Sequence, residues 1–434
     1  MIRVLYFLIA FSILCPFPGC IEAESEFSKL APGIWRGTLK LEDTPVFREE
    51  DDESPIIKDE VLLPFNFEVI YTSKDTFHIV LHNGEERIKV TDIKYGTDRA
   101  MAKDTVLINF PVFDTYLKAI FVENVMEGEW VVNYRENYSI PFVAYHGQGH
   151  RYLYDGVAPA ENLSGKWKTE FEINTPDAYP AIGEFEQTDE KLTGTFRTET
   201  GDYRYLDGIV RENKFSMSCF DGAHAFLFDG KIMEDKSLLG TFYSGNHYKV
   251  LFESVKDDNY DIESPFSITK DMTSGEPLSF SFPNTEGIKV SLNDDQYAGK
   301  PKIIQLMGTW CPNCKDETLF LMDYLDDSSN PDIDIISICF ERYREEDKSM
   351  AAIERFKLTF DVPYEVLYGG YHDKAEASKQ LPQINKITSY PTLLFLDKEN
   401  KIRRIHTGFN GPATSEFESF KTAFDSTVKE LIGK

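Results

Sequence analysis

Two cysteines three positions apart, in the run Trp310-Cys-Pro-Asn-Cys314, are the residues of this chain best suited to chemistry. The compact apolar run Ile303-Ile-Gln-Leu-Met307 precedes them, and residues of helical spacing follow from Pro312 to Asp327. A thiol at a strand-to-helix junction sits at a helix N-terminus. Unsatisfied N–H groups and the helix dipole there favour the thiolate and lower its pKa from about 8.5 by a unit or more. Cys311 is the expected nucleophile. Cys314, one helical turn further on, is placed to attack a mixed disulfide formed at Cys311 and so to act as the resolving thiol. Pro312 suits the first helical turn, where a missing N–H costs nothing. Half a zinc site has the same Cys-x-x-Cys spacing, but no second Cys or His pair with ligand spacing lies nearby, so no metal is expected.

Such a pair needs a frame that presents it. Ile333-Asp-Ile-Ile-Ser-Ile338 reads as a second buried strand and Lys348 to Leu358 as a second helix. Strand, helix, strand, helix implies parallel pairing. Thr392-Leu-Leu-Phe-Leu396 and Lys401-Ile-Arg-Arg-Ile405 then read as a hairpin, followed by a last helix over Ser415 to Leu431. That order is the thioredoxin architecture, an α/β domain placed at 278–434.

From about Leu278 to Lys434 the chain resembles the TlpA-like and ResA-like branch of the thioredoxin superfamily. The matching segments, in order, are Asn284-Thr-Glu-Gly-Ile-Lys-Val-Ser-Leu292, Gly299 through Cys314, Ser389-Tyr-Pro-Thr-Leu-Leu-Phe-Leu-Asp397, and His406-Thr-Gly408. The resemblance implies that Pro391, between Tyr390 and Thr392, is the cis-proline facing the Cys pair and offering backbone to a substrate. It also implies that Glu317 relays protons during exchange and that Trp310 is the flanking aromatic. Catalytic residues are therefore expected at Cys311, Cys314 and Glu317, substrate contacts at Trp310, Tyr390 and Pro391, and no cofactor. Leu319 stands where the family has Pro, and Tyr390 is bulkier than the usual residue before the cis-proline; both bear on substrate preference. The implied activity is thiol-disulfide exchange of the protein disulfide reductase type, with thiol- or disulfide-bearing client proteins and a membrane electron donor as partners. Oxidase and isomerase directions stay open, since a Cys-Pro-Asn-Cys run does not place the couple on a scale from about -270 to -120 mV. Peroxide reduction fits less well, because Thr309 lies only two residues before Cys311 instead of in a Thr-x-x-Cys setting.

Leu30 to Ser254 is a different class of sequence: short alternating runs rich in Phe, Tyr, Val and Thr, separated by Gly, Asn and Asp. It reads as all-β. Gly33-Ile-Trp35 and Gly165-Lys-Trp167 open two similar halves, and Met126-Glu-Gly-Glu-Trp130 and Leu239-Gly-Thr-Phe-Tyr243 stand near their ends. A Gly-x-Trp strand opening a meander resembles the start of lipocalin-like barrels, so two β units are expected, at 30–160 and 161–255, with a linker at 256–277. If that region captured a ligand, the chain would be a binding protein and the thioredoxin-like domain its scaffold. Cys219 and Cys339 read as buried core thiols.

The balance of 73 Asp plus Glu against 46 Lys plus Arg leaves a formal charge of -27, which excludes a polyphosphate partner such as nucleic acid. The acidic run from Glu49 to Glu53 reads as a solvated loop. Met1 to Arg3 and the apolar stretch Val4 to Leu14 read as an export signal over 1–19, too short to span a bilayer. Phe17-Pro-Gly-Cys20 resembles the lipobox of bacterial lipoproteins. Cys20 would become the lipid-bearing N-terminus, followed by a tether to residue 29, and the protein would face the periplasm on a membrane of the cell envelope. With Cys15 discarded and Cys20 acylated, four cysteines remain, too few for a disulfide framework.

Overall fold

Apolar and polar residues alternate from Gly33 onward because side chains two apart share one face of a strand. In the computed structural model, which describes residues 29–43, 59–99, 103–326 and 333–433, that alternation becomes two successive antiparallel meanders. Cys15, Cys20 and the Glu49 to Glu53 run lie outside the described residues. The first meander comprises β1 (Gly33–Asp43), β2 (Asp59–Tyr71), β3 (Phe77–Asn83), β4 (Glu86–Val90), β5 (Ile93–Asp98), β6 (Lys103–Phe110), β7 (Thr115–Val122), β8 (Val125–Val132) and β9 (Ser139–His146). Pairing of β1 with β9 curls this nine-stranded sheet, which stays open between β4 and β5.

The second meander runs through β10 (Gly165–Phe171), β11 (Tyr179–Thr188), β12 (Lys191–Thr198), β13 (Gly201–Asp202), β14 (Leu206–Arg211), β15 (Lys214–Phe220), β16 (Ala225–Ile232), β17 (Leu238–Ser244) and β18 (Tyr248–Lys256). Here β11 also pairs with β12, so apart from the short β13 the strands close into a barrel. The repeat extends to a hydrogen bond. Trp35 Nε1 donates to Ala31 O at 2.9 Å, and Trp167 Nε1 donates to Leu163 O at 2.8 Å, each indole reaching back four residues. Phe171, Phe196, Phe215, Phe228, Phe242 and Phe252 fill the second barrel. Rings such as Phe196 and Phe228, 4.6 Å apart and stacked, occupy the space that an open barrel would keep for a ligand.

Packing joins the two units. Phe220, at the end of β15, enters the core of the first unit with its ring 4.7 Å from Phe65 and 5.4 Å from Trp130. Asn83 secures it in both directions, donating to Phe220 O at 3.0 Å and accepting from Phe220 N at 3.2 Å.

The chain then forms α1 (Pro265–Ile268) and a small hairpin of β19 (Ser281–Pro283) and β20 (Lys289–Ser291). Next come β21 (Lys302–Met307), α2 (Pro312–Asp326), β22 (Asp334–Glu341), α3 (Glu346–Phe360), β23 (Glu365–Tyr371), α4 (Lys374–Gln380), β24 (Thr392–Leu396), β25 (Ile402–Thr407) and α5 (Phe417–Ile432). Sheet order β23-β22-β21-β24-β25, with the first three parallel and the last two antiparallel, is a thioredoxin fold. β21 is buried at every position, as a central parallel strand with both faces covered must be. The architecture is therefore an all-β region followed by an α/β thioredoxin-fold domain. Sequence periodicity did not announce β23, which carries Gly369 and Gly370, or α4, whose seven residues are too few to show a helical period.

One buried side chain joins all three bodies. Arg204, just after β13, bonds to Glu86 of β4 and to Asp316 of α2, and its Nε lies 3.7 Å from Asp221. Burial alone would lower its pKa, but Asp316, Glu86 and Asp221 outweigh that and hold it charged. Replacing Arg204 by Met would leave these carboxylates facing one another without their cation. We expect a loss of about 3–5 kcal/mol in urea unfolding at pH 7. Asp221 and Asp316 both have folded pKa values below the ordinary carboxylate value of about 4. Their contribution is present above that value and fades as pH falls through the folded values, so the cost of the substitution should shrink in acid. A variant as stable as wild type at pH 7 would show that the cluster does not hold the bodies together.

Candidate active site

β21 ends at Met307, and the chain turns through Gly308, Thr309 and Trp310 into α2, whose first helical residue is Pro312. Cys311 is thus at the N-cap, its carbonyl accepting the first helical bond from Lys315 N at 3.0 Å. Its thiol has two close neighbours. Cys314 N donates to Cys311 Sγ at 3.2 Å, and Sγ lies 3.6 Å from the carbonyl oxygen of Tyr390, where the Tyr390–Pro391 bond is cis. Cys311 retains 8% exposure and Cys314 none, so only the first thiol is open to a partner molecule. Both are free thiols. Burial, and then the neighbouring Cys311, pushes the Cys314 thiol well above its ordinary pKa.

Glu317, one turn beyond Cys314, is fully buried. Its Oε2 accepts from Gln305 Nε2 at 2.9 Å, and its Oε1 has no hydrogen-bond partner among the described residues. Burial raises its pKa well above the ordinary value, the Gln305 bond opposes that, and Cys311 adds to it. Gln305 is itself fixed by Ser337 Oγ at 2.7 Å and Thr318 Oγ1 at 3.2 Å, both donating to its Oε1. This buried polar chain leads from the sheet to α2, where Gln305 Nε2 also donates to Cys314 O at 3.5 Å.

Trp310 donates from Nε1 to Phe340 O at 3.0 Å and meets the Tyr390 ring edge-on at 5.9 Å, so the two aromatics form a wall beside Cys311. Structure thus brings Trp310, Cys311, Cys314, Glu317, Tyr390 and Pro391 to one place. Leu319 is elsewhere, on a cleft between α2 and α5 that also includes Phe320 and Phe417. Cys219 and Cys339 are fully buried apart from the pair, with burial raising both thiols.

Two features of the site were not read from the sequence. Glu341 ends β22 and accepts from Thr309 N at 2.9 Å and Thr309 Oγ1 at 3.0 Å, fixing the turn before Cys311; burial pushes its pKa up to about 6. A carboxylate that closes an apolar strand, as here after Cys339-Phe340, ordinarily marks the return to solvent, so the sequence held no signal for it. The second feature is the β12–β13 turn of the barrel. Asn313, between the cysteines, donates from Nδ2 to Asp202 O at 3.2 Å, and Ser389 Oγ donates to Thr200 O at 2.8 Å. Gly201 lies so close that a Cβ there would meet Asn313 Nδ2 at 2.6 Å, at a φ of +138°.

Residues 273–423 match the family described as Redoxin. No curated protein matches the chain. Among solved structures, a thiol-disulfide oxidoreductase from Bacteroides fragilis NCTC 9343 is 19% identical, with 35% of this chain and 98% of that one covered and a TM-score of 0.25. StoA from Bacillus subtilis is 19% identical, with 34% and 97% covered and a TM-score of 0.25. A DsbF homologue from Corynebacterium diphtheriae is 19% identical, with 38% and 98% covered and a TM-score of 0.28. The stretch that matches the Redoxin family is the one that folds as β21 to β25 with their helices, and its Cys pair stands at the N-terminus of α2.

Proposed function

We propose that the protein is a thiol-disulfide oxidoreductase of the reductase type, working through Cys311 and Cys314. The observation that carries this is the asymmetry of the pair: one thiol reaches the surface at a helix N-terminus, and the other is sealed behind it next to a buried carboxyl group. Cys311 thiolate attacks a client disulfide, forming a mixed disulfide and expelling one client thiolate, which takes up a proton. Glu317 in its ionised form takes the proton of Cys314, which attacks Cys311 Sγ; the second client thiolate leaves and takes up a proton, and an enzyme disulfide remains. Two electrons have then passed to the client, and a dithiol donor must return them.

Burial, and then the neighbouring Cys311, hold Cys314 protonated in the reduced pair, and the reductase direction is the one that the resemblance to the TlpA-like and ResA-like branch implies. The β region as a ligand carrier has less support, since phenyl rings fill the second barrel. Export, attachment through lipid on Cys20, a periplasmic setting and a membrane electron donor complete the proposal; a tethered enzyme would meet that donor at the membrane surface.

Titrating the pair against dithiothreitol with thiol alkylation as readout should give a reduction potential near -270 mV, about that of thioredoxin. A value near -120 mV would make the protein an oxidant, and no reversible couple would end the redox reading. Cys314→Ser should trap a client as a mixed disulfide at Cys311, visible as a mass shift that dithiothreitol reverses.

Glu317→Gln should slow resolution of the mixed disulfide by at least about a hundredfold, the scale of proton-transfer catalysis. Stability supplies the control. A raised folded pKa means that Glu317 contributes stability that is full below about 4.3 and is lost as pH rises through the folded value. The neutral amide escapes that loss, so the urea midpoint of the variant should gain on wild type between pH 4 and pH 8. Parallel curves would mean that the folded state does not raise Glu317.

Cys20→Ser should abolish incorporation of labelled fatty acid and release the protein from membranes. Unchanged attachment would remove the anchor from the proposal.

A further inference from the structure

The exposed thiol of the pair opens into a confined space. A cleft of about 530 Å³ lies between Cys311 and the mouth of the second barrel, with Tyr203, Phe226 and Tyr248 on the barrel side and Arg135 and Arg342 among its walls. Its width is fixed. The β12–β13 turn is bonded to Asn313 on one side of the thiol and to Ser389 on the other, so the barrel cannot swing away without breaking both contacts. Volumes of 300–1,000 Å³ suit small ligands, whereas a folded partner needs roughly 800 Å² of open face on each side. With only 8% of Cys311 exposed, the reacting sulfur must be carried in on something slender.

The charge in the cleft is opposite to that of the chain. The whole sequence carries -27, yet Asp202 is the single acid among the residues lining the cleft, against Arg135 and Arg342. Asp202 is occupied, its carboxylate accepting from Gly411 N at 2.6 Å and Arg204 N at 2.8 Å. Neither arginine has a carboxylate at ion-pair distance among the described residues. Both lie over aromatic rings instead: Arg342 is 3.5 Å from the Tyr134 ring centre and 5.2 Å from that of Trp310, and Arg135 is 5.6 Å from those of Tyr134 and Tyr138. A guanidinium stacked by its face keeps its N–H edges free, and those edges match a carboxylate in bidentate geometry. His247, also in the cleft, is pushed down to about 4 by burial and then by Arg135, so it is neutral at pH 7 and leaves the cationic work to the arginines.

We propose that this cleft binds a low-molecular-weight disulfide bearing carboxylates, which Arg135 and Arg342 hold while one of its sulfurs meets Cys311. The proposal rests on the redox reading above and narrows its client class. In the full cycle the enzyme dithiol reduces R–S–S–R to two R–SH and becomes the Cys311–Cys314 disulfide, and a dithiol donor then reduces that disulfide.

Three probes of nearly equal length separate the possibilities: dithiodipropionate, a dianion; hydroxyethyl disulfide, which is neutral; and cystamine, a dication. The reduced full-length protein is mixed with each, and formation of the enzyme disulfide is followed by quenching with an alkylating agent. Each rate is divided by the rate of the same probe with a simple free dithiol. The net charge of the chain by itself favours the dication, so the expected result carries the opposite sign: dithiodipropionate faster than cystamine by on the order of tenfold at low salt, with the ratio shrinking as salt is added. In the Arg135→Gln, Arg342→Gln double variant the ratio should fall at least about fivefold. Cystamine reacting as fast or faster with the wild-type protein overturns the proposal whether or not the variant folds. An unchanged ratio in a folded double variant overturns it as well. Failure of hydroxyethyl disulfide to oxidise the pair would overturn the redox reading itself, a separate result.

Discussion

A buried cation must be matched by charge or it will not stay buried, and Arg204 is matched by carboxylates from three different parts of the chain. Glu86 comes from the first β unit, Asp221 from the barrel that carries Arg204, and Asp316 from the helix that begins at the Cys pair. Removing a charged group from water costs several kcal/mol, recovered only when all the partners are in place. The cluster therefore rewards one arrangement of the three bodies and penalises partial docking. Because Asp316 sits two residues after Cys314, the helix that presents the thiols is registered against the barrel by the same interaction.

That registration gives the site its character. A thioredoxin fold alone would present Cys311 and the cis Tyr390–Pro391 peptide on an open surface. Here the β12–β13 turn bonds to both sides of that surface, through Asn313 and Ser389, and Gly408 packs so tightly on it that a Cβ would meet the Thr200 backbone at 2.8 Å. The first unit reaches the same region from the other side, with Tyr134 under Arg342 and Asp114 accepting from the Tyr343 hydroxyl. The β region is thus a wall of the active site, and the aromatic cores that fill it give that wall stiffness.

The sequence revealed what depends on local spacing. Cys-Pro-Asn-Cys between a buried strand and a helical pattern, a Tyr-Pro before an apolar strand, and two Gly-x-Trp openings were each legible because neighbours in the chain are neighbours in the structure. Contacts between distant positions left no such mark. Arg204 follows a turn and looks like a surface residue. Asn313 looks like a spacer between the thiols until Asp202, 111 positions away, accepts its amide proton. Closure of the second barrel but not the first depends on β11 meeting β12, a pairing that the similar halves give no reason to assign to one and not the other. Gln305 passed as part of an apolar run, and its pairing with Glu317, Thr318 and Ser337 left no mark in the sequence either.

Burial acts on two carboxyl groups near the Cys pair, and it acts on them differently. Cys314 has no exposure, and the barrel narrows the approach to Cys311. An ordinary exposed carboxylate, near pKa 4, is a weak base toward a thiol proton. Burial corrects this by raising Glu317, while the single bond from Gln305 keeps the group oriented without cancelling the shift. Glu341 shows the contrast. It accepts two hydrogen bonds from Thr309, rises only to about 6, and holds the turn before Cys311. Two carboxyl groups buried in one small domain thus differ in how far burial raises them, because they differ in how many donors each one faces.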